Sequence, residues 1–365
     1  MAICKICNRK SSTISRALGV CLTCIRAWPN ASFAFAENAH QQSRSAFGLP
    51  HKPPHDPDGI ACNICVNQCK IPENGTGYCG LRINQGSRLR GVSSKQAKLS
   101  WYHDRLPTNC VGDWVCAGGT GAGYPKYAYC PNAESGYKNL AVFFLACSFN
   151  CLFCQNWHFR KESLSSLTRS FEQLIADVDE RTSCICYFGG DPSPQLPFSL
   201  RASREAITRN EGRVLRICWE TNGSMHPELL DEMMELALNS GGCVKFDLKA
   251  WNPYLHMALT GVTNQRTLDN FARAAKTIER RSTPPPLIAS SLLIPGYIDE
   301  KEISAMAKFI ADLNPEIPYS LLAFHPQFYM SDLPVTSKQL AIRCYQAAQD
   351  AGLKRVRIGN VHLLN

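Results

Sequence analysis

From residue 139 onward the chain repeats one pattern: a short, continuously apolar run, a polar or glycine-rich stretch, then an amphipathic segment of helical period. The apolar runs are 140–145, 184–188, 214–219, 243–248, 287–294, 319–324 and 356–358. Segments such as "HPELLDEMMELAL" and "EKEISAMAKFIADL" fill the gaps with helical spacing. Strands alternating with helices predict a parallel sheet with right-handed crossovers. Runs without a polar alternate suit strands buried on both faces. The expectation is an α/β fold, a partial (β/α)6 barrel over 139–365.

In a barrel of this kind chemistry sits at the carboxyl ends of the strands. Those ends read "CSFNC", "GGDPSP", "WETNG", "KFDLKAW", "LIPGYID", "AFHPQ" and "RIGNV". Nearly all are polar or glycine-rich, so they converge on one polar site.

The front of the chain is ruled by cysteine. Of 19 cysteines, 14 lie before residue 155. An odd count cannot pair completely, and Cys-x-x-Cys spacing in a chain with no apolar signal core at "MAICKICNRK" argues for metal in a reducing, cytoplasmic, anaerobic setting. No run of 18 apolar residues exists, so no membrane span is expected. The net charge of +9 is scattered, without a run of five like charges, and argues against nucleic acid.

Cys4, Cys7, Cys21 and Cys24 form two elbows a dozen residues apart, the pattern of a zinc-ribbon-like module over 1–47, with rubredoxin-type iron as the alternative. The proline-rich stretch 48–59 reads as a linker. A second cysteine-rich module, 60–138, carries Cys62, Cys65, Cys69 and Cys79, which suit zinc or an iron–sulfur cluster. It also carries Cys110, Cys116 and Cys130, which suit an auxiliary cluster, zinc completed by His103, or plain thiols. "CAGGTGAGYP" lacks the Lys-Ser/Thr of a phosphate loop and reads as a flexible metal-binding or lid loop. The later Cys184, Cys186, Cys218, Cys243 and Cys344 read as small core residues.

Cys147, Cys151 and Cys154 are one ligand short of a closed tetrahedral site. Three thiolates on a cluster of four irons leave one iron open; zinc with a remote fourth ligand has the same local spacing. With Phe153 before the third cysteine, this Cys-x3-Cys-x2-Cys run after a first strand resembles the signature of radical S-adenosylmethionine (SAM) enzymes. The resemblance implies a [4Fe-4S] cluster on the three cysteines and SAM chelated at the open iron. It further implies reductive cleavage to a 5′-deoxyadenosyl radical that abstracts hydrogen.

Gly189, Gly190 and Asp191 resemble that family's glycine-rich SAM motif. Glu220, Thr221 and Asn222, and Asp247 and Lys249, resemble segments of the pyruvate formate-lyase-activating-enzyme branch, with Glu at 220 where that branch has Asp. The likeness implies a monovalent cation on Glu220, Thr221, Asp247 and the Lys245 backbone, and SAM carboxylate contacts from Lys249 and His325. Cys62, Cys65, Cys69, Cys79, Gly80 and Arg82, with "CQNWHF" and "RIGNV", resemble the AmmeMemoRadiSam group of the same branch.

Three functions follow. One is a radical SAM enzyme acting on a protein or peptide glycyl, reduced by flavodoxin or ferredoxin. Another is a radical SAM enzyme acting on a small molecule with the help of an auxiliary cluster. The third is a zinc-rich scaffold on a barrel that binds no SAM. Gln155, Trp157, Tyr187 and His256 are the substrate-side candidates.

Overall fold

The computed structural model describes every residue except Asn109, Ser163 and Ser166. Its centre is one eight-stranded sheet. In chain order the strands are β1 (Leu99–Arg105), β2 (Lys138–Phe144), β3 (Thr182–Gly189), β4 (Arg216–Thr221), β5 (Val244–Asp247), β6 (Leu287–Leu293), β7 (Tyr319–Ala323) and β8 (Val356–Gly359). They lie side by side in sequence order. β2 to β8 are parallel, as the seven apolar runs predict.

β1 is the strand that the apolar pattern did not announce. It pairs antiparallel with β2 along its whole length, Leu99 beside Phe144 and Arg105 beside Lys138. Its sequence, LSWYHDR, is largely exposed, as an edge strand must be on one side. It lies within the 60–138 span, so sheet and cysteine-rich segment interleave there.

The crossovers carry helices that cover the outer face: α2 (Leu196–Arg209), α3 (Pro227–Ser240), α4 (Pro253–Thr260), α5 (Gln265–Ala275), α6 (Glu300–Leu313) and α7 (Lys338–Asp350). The strand periodicity of two assigns the faces. Ile185, Tyr187, Ile217, Trp219, Val244 and Phe246 point outward into the main core under these helices. Their alternates face the interior of the half-barrel.

The N-terminal module docks on the helical layer. Its long helix α1 (Pro29–Ser45) lies on α4, where His40 Nε2 meets Ala258 O at 3.1 Å. Arg26 binds Asp299 at 2.8 Å and Glu302 at 2.7 Å at the start of α6. The Tyr297 hydroxyl accepts from Ser15 N and donates to Val20 O, each at 3.0 Å. No helix among the described residues is long and apolar enough to cross a membrane.

Candidate functional site

The loop after β2 brings Cys147, Cys151 and Cys154 into a pocket of about 180 Å³ at the strand ends. The lining also takes Gly189, Gly190 and Asp191 after β3, Glu220, Thr221 and Asn222 at the end of β4, and Asp247 and Lys249 at the end of β5. Eleven of the twelve residues that the sequence singled out for cluster and SAM therefore share one cavity. No further cysteine and no histidine lines it among the described residues.

Backbone contacts seat the thiol loop. Gly190 N donates to Phe144 O and Asp191 N to Ala146 O, each at 2.8 Å. A Cβ at Gly190 would stand 2.3 Å from Ala146 O, so only glycine lets the β3 end lie against the residue before Cys147. Phe149 N donates to Cys147 Sγ at 3.3 Å, and Asn222 Nδ2 approaches it at 3.8 Å.

Asp191 is the buried anchor beneath. It accepts from Asn222 N at 2.6 Å, Ser193 N at 2.7 Å and the Thr221 hydroxyl at 3.2 Å. Burial raises its carboxyl to about 6 despite these donors.

Asp247 pairs with Lys249 through Oδ2, while its buried Oδ1 has no partner among the described residues. Burial alone would lower Lys249, but Asp247 and the neighbouring cysteines raise it and keep it cationic. Burial pushes the Cys151 thiol up to about 12, so a bare thiol here stays protonated until a metal draws off the proton. Three soft donors, a fixed cation and an unpartnered carboxylate oxygen thus fit an open cluster that carries a ligand with both amine and carboxylate groups.

His325 departs from the expectation. It is exposed, meets Gln327 Nε2 at 3.4 Å and does not line the pocket. Of the residues expected at a cation, Glu220 binds the Lys245 ammonium at 2.8 Å and the Thr221 hydroxyl donates to Asp191 at 3.2 Å. Among substrate-side candidates Gln155 lines the pocket, and Trp157 stands outside it against Phe47 and Phe328. Tyr187 is core, bonded to Ser203, and His256 is core, its Nδ1 bonded to Val262 O at 2.7 Å. Not singled out by the sequence reading were Val111, Asn156, Arg160 and Asn360, which are among the remaining lining residues. Asn156 and Asn360 had a local signal, lying in "CQNWHF" and "RIGNV".

The other cysteine sets separate by spacing. Cys4 and Cys24 Sγ lie 3.7 Å apart, Cys7 and Cys21 Sγ 3.8 Å apart, and all four sulfurs fall within 4.8 Å. A tetrahedral ion with bonds of about 2.3 Å requires about 3.8 Å between thiolates, so this set fits a single ion. Cys62, Cys65, Cys69 and Cys79 are electrostatic neighbours in a loop beside the thiol triplet. Val66 N donates to Ser224 O, and Asn67 Nδ2 to Ser148 O at 2.7 Å.

The third set does not assemble as grouped. Cys110 and Cys116 face the barrel interior, whereas Cys130 turns to Asn132 O at 3.3 Å. His103 lies on β1 and meets Asp177 O at 2.9 Å, away from these thiols. The glycine-rich stretch after Cys116 is packed rather than flexible: a Cβ at Gly119 would lie 1.9 Å from Asp113 O.

The sheet thus gathers three thiols, with no fourth cysteine among the described lining residues, in one pocket at the ends of its parallel strands. Residues 142–310 match the family model of the Radical SAM superfamily, and the chain carries a radical SAM domain. It is 30% identical over 167 residues to the isethionate sulfite-lyase activating enzyme of Desulfovibrio desulfuricans, covering 46% of this chain and 49% of that protein. It is 26% identical over 211 residues to the pyruvate formate-lyase 1-activating enzyme of Escherichia coli, covering 55% and 79%. It is 25% identical over 316 residues to the uncharacterized protein MJ0808 of Methanocaldococcus jannaschii, covering 84% and 83%. The match thus spans about half the length of the sulfite-lyase activating enzyme. Together these likenesses mark the chain as an enzyme.

Proposed function

We propose that the chain is a radical SAM enzyme whose cluster is held by Cys147, Cys151 and Cys154. The observation that carries this is the single pocket in which three thiols lack a fourth and face Lys249 and the unpartnered Asp247 Oδ1. When bound, a [4Fe-4S] cluster supplies an open iron and one electron for reductive cleavage of SAM to methionine and a 5′-deoxyadenosyl radical. Lys249 offers its ammonium to the SAM carboxylate, and Asp247 Oδ1 offers an acceptor to the amine. Gly189 and Gly190 admit the ligand close to the backbone. Gln155 and Asn156 close the pocket beside the third thiol. An acidic flavodoxin or ferredoxin as reductant matches the +9 charge.

The substrate we favour is a small molecule. The segment 110–122 packs into the interior of the sheet, and its Val111 reaches the lining of the strand-end pocket. There Trp114 Nε1 donates to Ser320 Oγ, Ser320 Oγ donates to Val111 O, each at 3.1 Å, and Arg357 pairs with Asp113. The names of relatives, activating enzymes and a putative glycyl-radical enzyme activating enzyme of Methanocaldococcus jannaschii, instead suggest activation of a glycyl-radical protein. The AmmeMemoRadiSam likeness and the zinc of the N-terminal module belong to this proposal as well.

Anaerobic reconstitution tests the site. Cys151→Ala should lose about four irons per chain and all 5′-deoxyadenosine formation. Lys249→Met should keep the iron and weaken SAM binding at least about tenfold, roughly 1.4 kcal/mol. Normal iron and SAM cleavage in Cys151→Ala would sink the assignment.

A further inference from the structure

Towards the starts of the strands, separated from the SAM pocket by the Glu220–Lys245 pair, lies a second cavity of about 330 Å³. Barrel interiors are ordinarily filled by branched aliphatic side chains. Here the interior face of three adjacent strands carries thiols around a void. Cys186 on β3 is in register with Cys218 on β4, and Trp219 beside Val244 brings Cys218 next to Cys243 at the start of β5. Cys218 and Cys243 Sγ are 3.9 Å apart. From the facing side the packed segment 110–122 adds Cys116 and Cys110.

We propose that this cavity binds an iron–sulfur cluster, distinct from the one at the strand ends, through Cys186, Cys218 and Cys243 of the sheet and Cys116 of the inserted segment. Six thiols from four chain segments line one buried space, Cys110 and Cys116, Cys184 and Cys186, Cys218, and Cys243, and the four proposed ligands take one from each segment. Thiolates are soft ligands and select such clusters. A single ion fits poorly: the Cys4 set alone, among the described residues, gathers three or more ligand atoms within 4.8 Å of one another. The cavity of about 330 Å³ that they line has room for a larger inorganic core, and the 3.9 Å between Cys218 and Cys243 Sγ suits two thiolates on one of its irons. A cluster on four thiolates carries net negative charge, and burying it requires a countercharge. Two cations lie against the cavity, each also paired with a carboxylate: Lys245 Nζ, 3.4 Å from Cys186 Sγ, 2.8 Å from Cys110 Sγ and 2.8 Å from Glu220, and Arg216, 2.6 Å from Glu134.

The test uses the full chain, purified and reconstituted anaerobically with iron and sulfide, in a Cys147→Ala, Cys151→Ala, Cys154→Ala background. That background removes the radical cluster, so the result is independent of the radical SAM reading. The site predicts residual iron and acid-labile sulfide there. Adding Cys218→Ser with Cys243→Ser should remove at least about two irons per chain and their Mössbauer signal. Adding Cys65→Ser with Cys69→Ser, or Cys344→Ser, should leave that portion in place. If the double sheet variant does not fold, judged by circular dichroism, Cys116→Ser on the inserted segment replaces it. Residual iron unmoved by these lumen changes, no residual iron at all, or zinc without sulfide in the cavity would each overturn the proposal.

Discussion

Asp191 shows how a motif residue can carry the site without meeting the ligand first. Two backbone N–H groups and the Thr221 hydroxyl hold it, yet burial keeps its carboxyl at about 6, above the ordinary 3.8. The raised value means that the folded state favours the neutral acid. Its contribution is therefore nil below the unfolded value and becomes a cost as pH rises from about 4 to 6, reaching about 3 kcal/mol for two units. Asp191→Asn, which keeps an acceptor there, should remove that slope. Urea unfolding at pH 4 and pH 7 should show the variant gaining on the wild type by about that amount. An equal difference at both values would refute the account. His325 belongs to the same scale: its neighbours "FHP" mark a strand end, and the residue lies exposed outside the pocket lining.

At the scale of elements, the strands were legible because continuous apolar runs need burial on both faces, which a parallel sheet under helices provides. The same continuity hid their two-sidedness. Cys184 and Cys186, Cys218 and Cys243 each lie an even number of residues from the pocket-facing Phe188, Glu220 and Lys245, so period two sets them on the interior face. Reading them as general core overlooked this signal. β1 escaped because an exposed edge strand has no apolar run to display. Docking of the front module is likewise an affair of elements. Arg26 binds both Asp299 and Glu302, and the buried Glu302 also accepts from Trp251 N at 2.8 Å and Asn252 N at 3.0 Å. Arg26→Met leaves that carboxylate short of its cation and should cost about 2–4 kcal/mol. Proteolysis within 48–59 should accelerate accordingly, and an unchanged cleavage rate would count against the contact.

At the scale of the whole molecule, the front adds Ile14, Leu18, Val20 and Ile25 to the main core, beside a four-cysteine set with the spacing of a metal site. The sulfur spacing of the Cys4 set fits one ion, so Cys7→Ser should release about one metal per chain and lower the melting temperature by several degrees. The charge-transfer absorption of the iron–sulfur clusters should stay, because this module lies outside the barrel; its loss would show that the modules are not separable. The sequence alone determined the α/β class, the order of strands and the open triplet, because periodicity and ligand spacing are local properties of the chain. It also placed Gly190, Asp191, Asp247 and Lys249 at strand ends, where a parallel barrel gathers its chemistry. Tertiary structure alone decided which cysteines share a cavity, dismissing Cys130 and recruiting Cys186, Cys218 and Cys243. It alone set Lys245 against Glu220 and brought segment 110–122 into the barrel. Those outcomes depend on sheet register and on the meeting of segments over a hundred residues apart, and no local pattern encodes such distances.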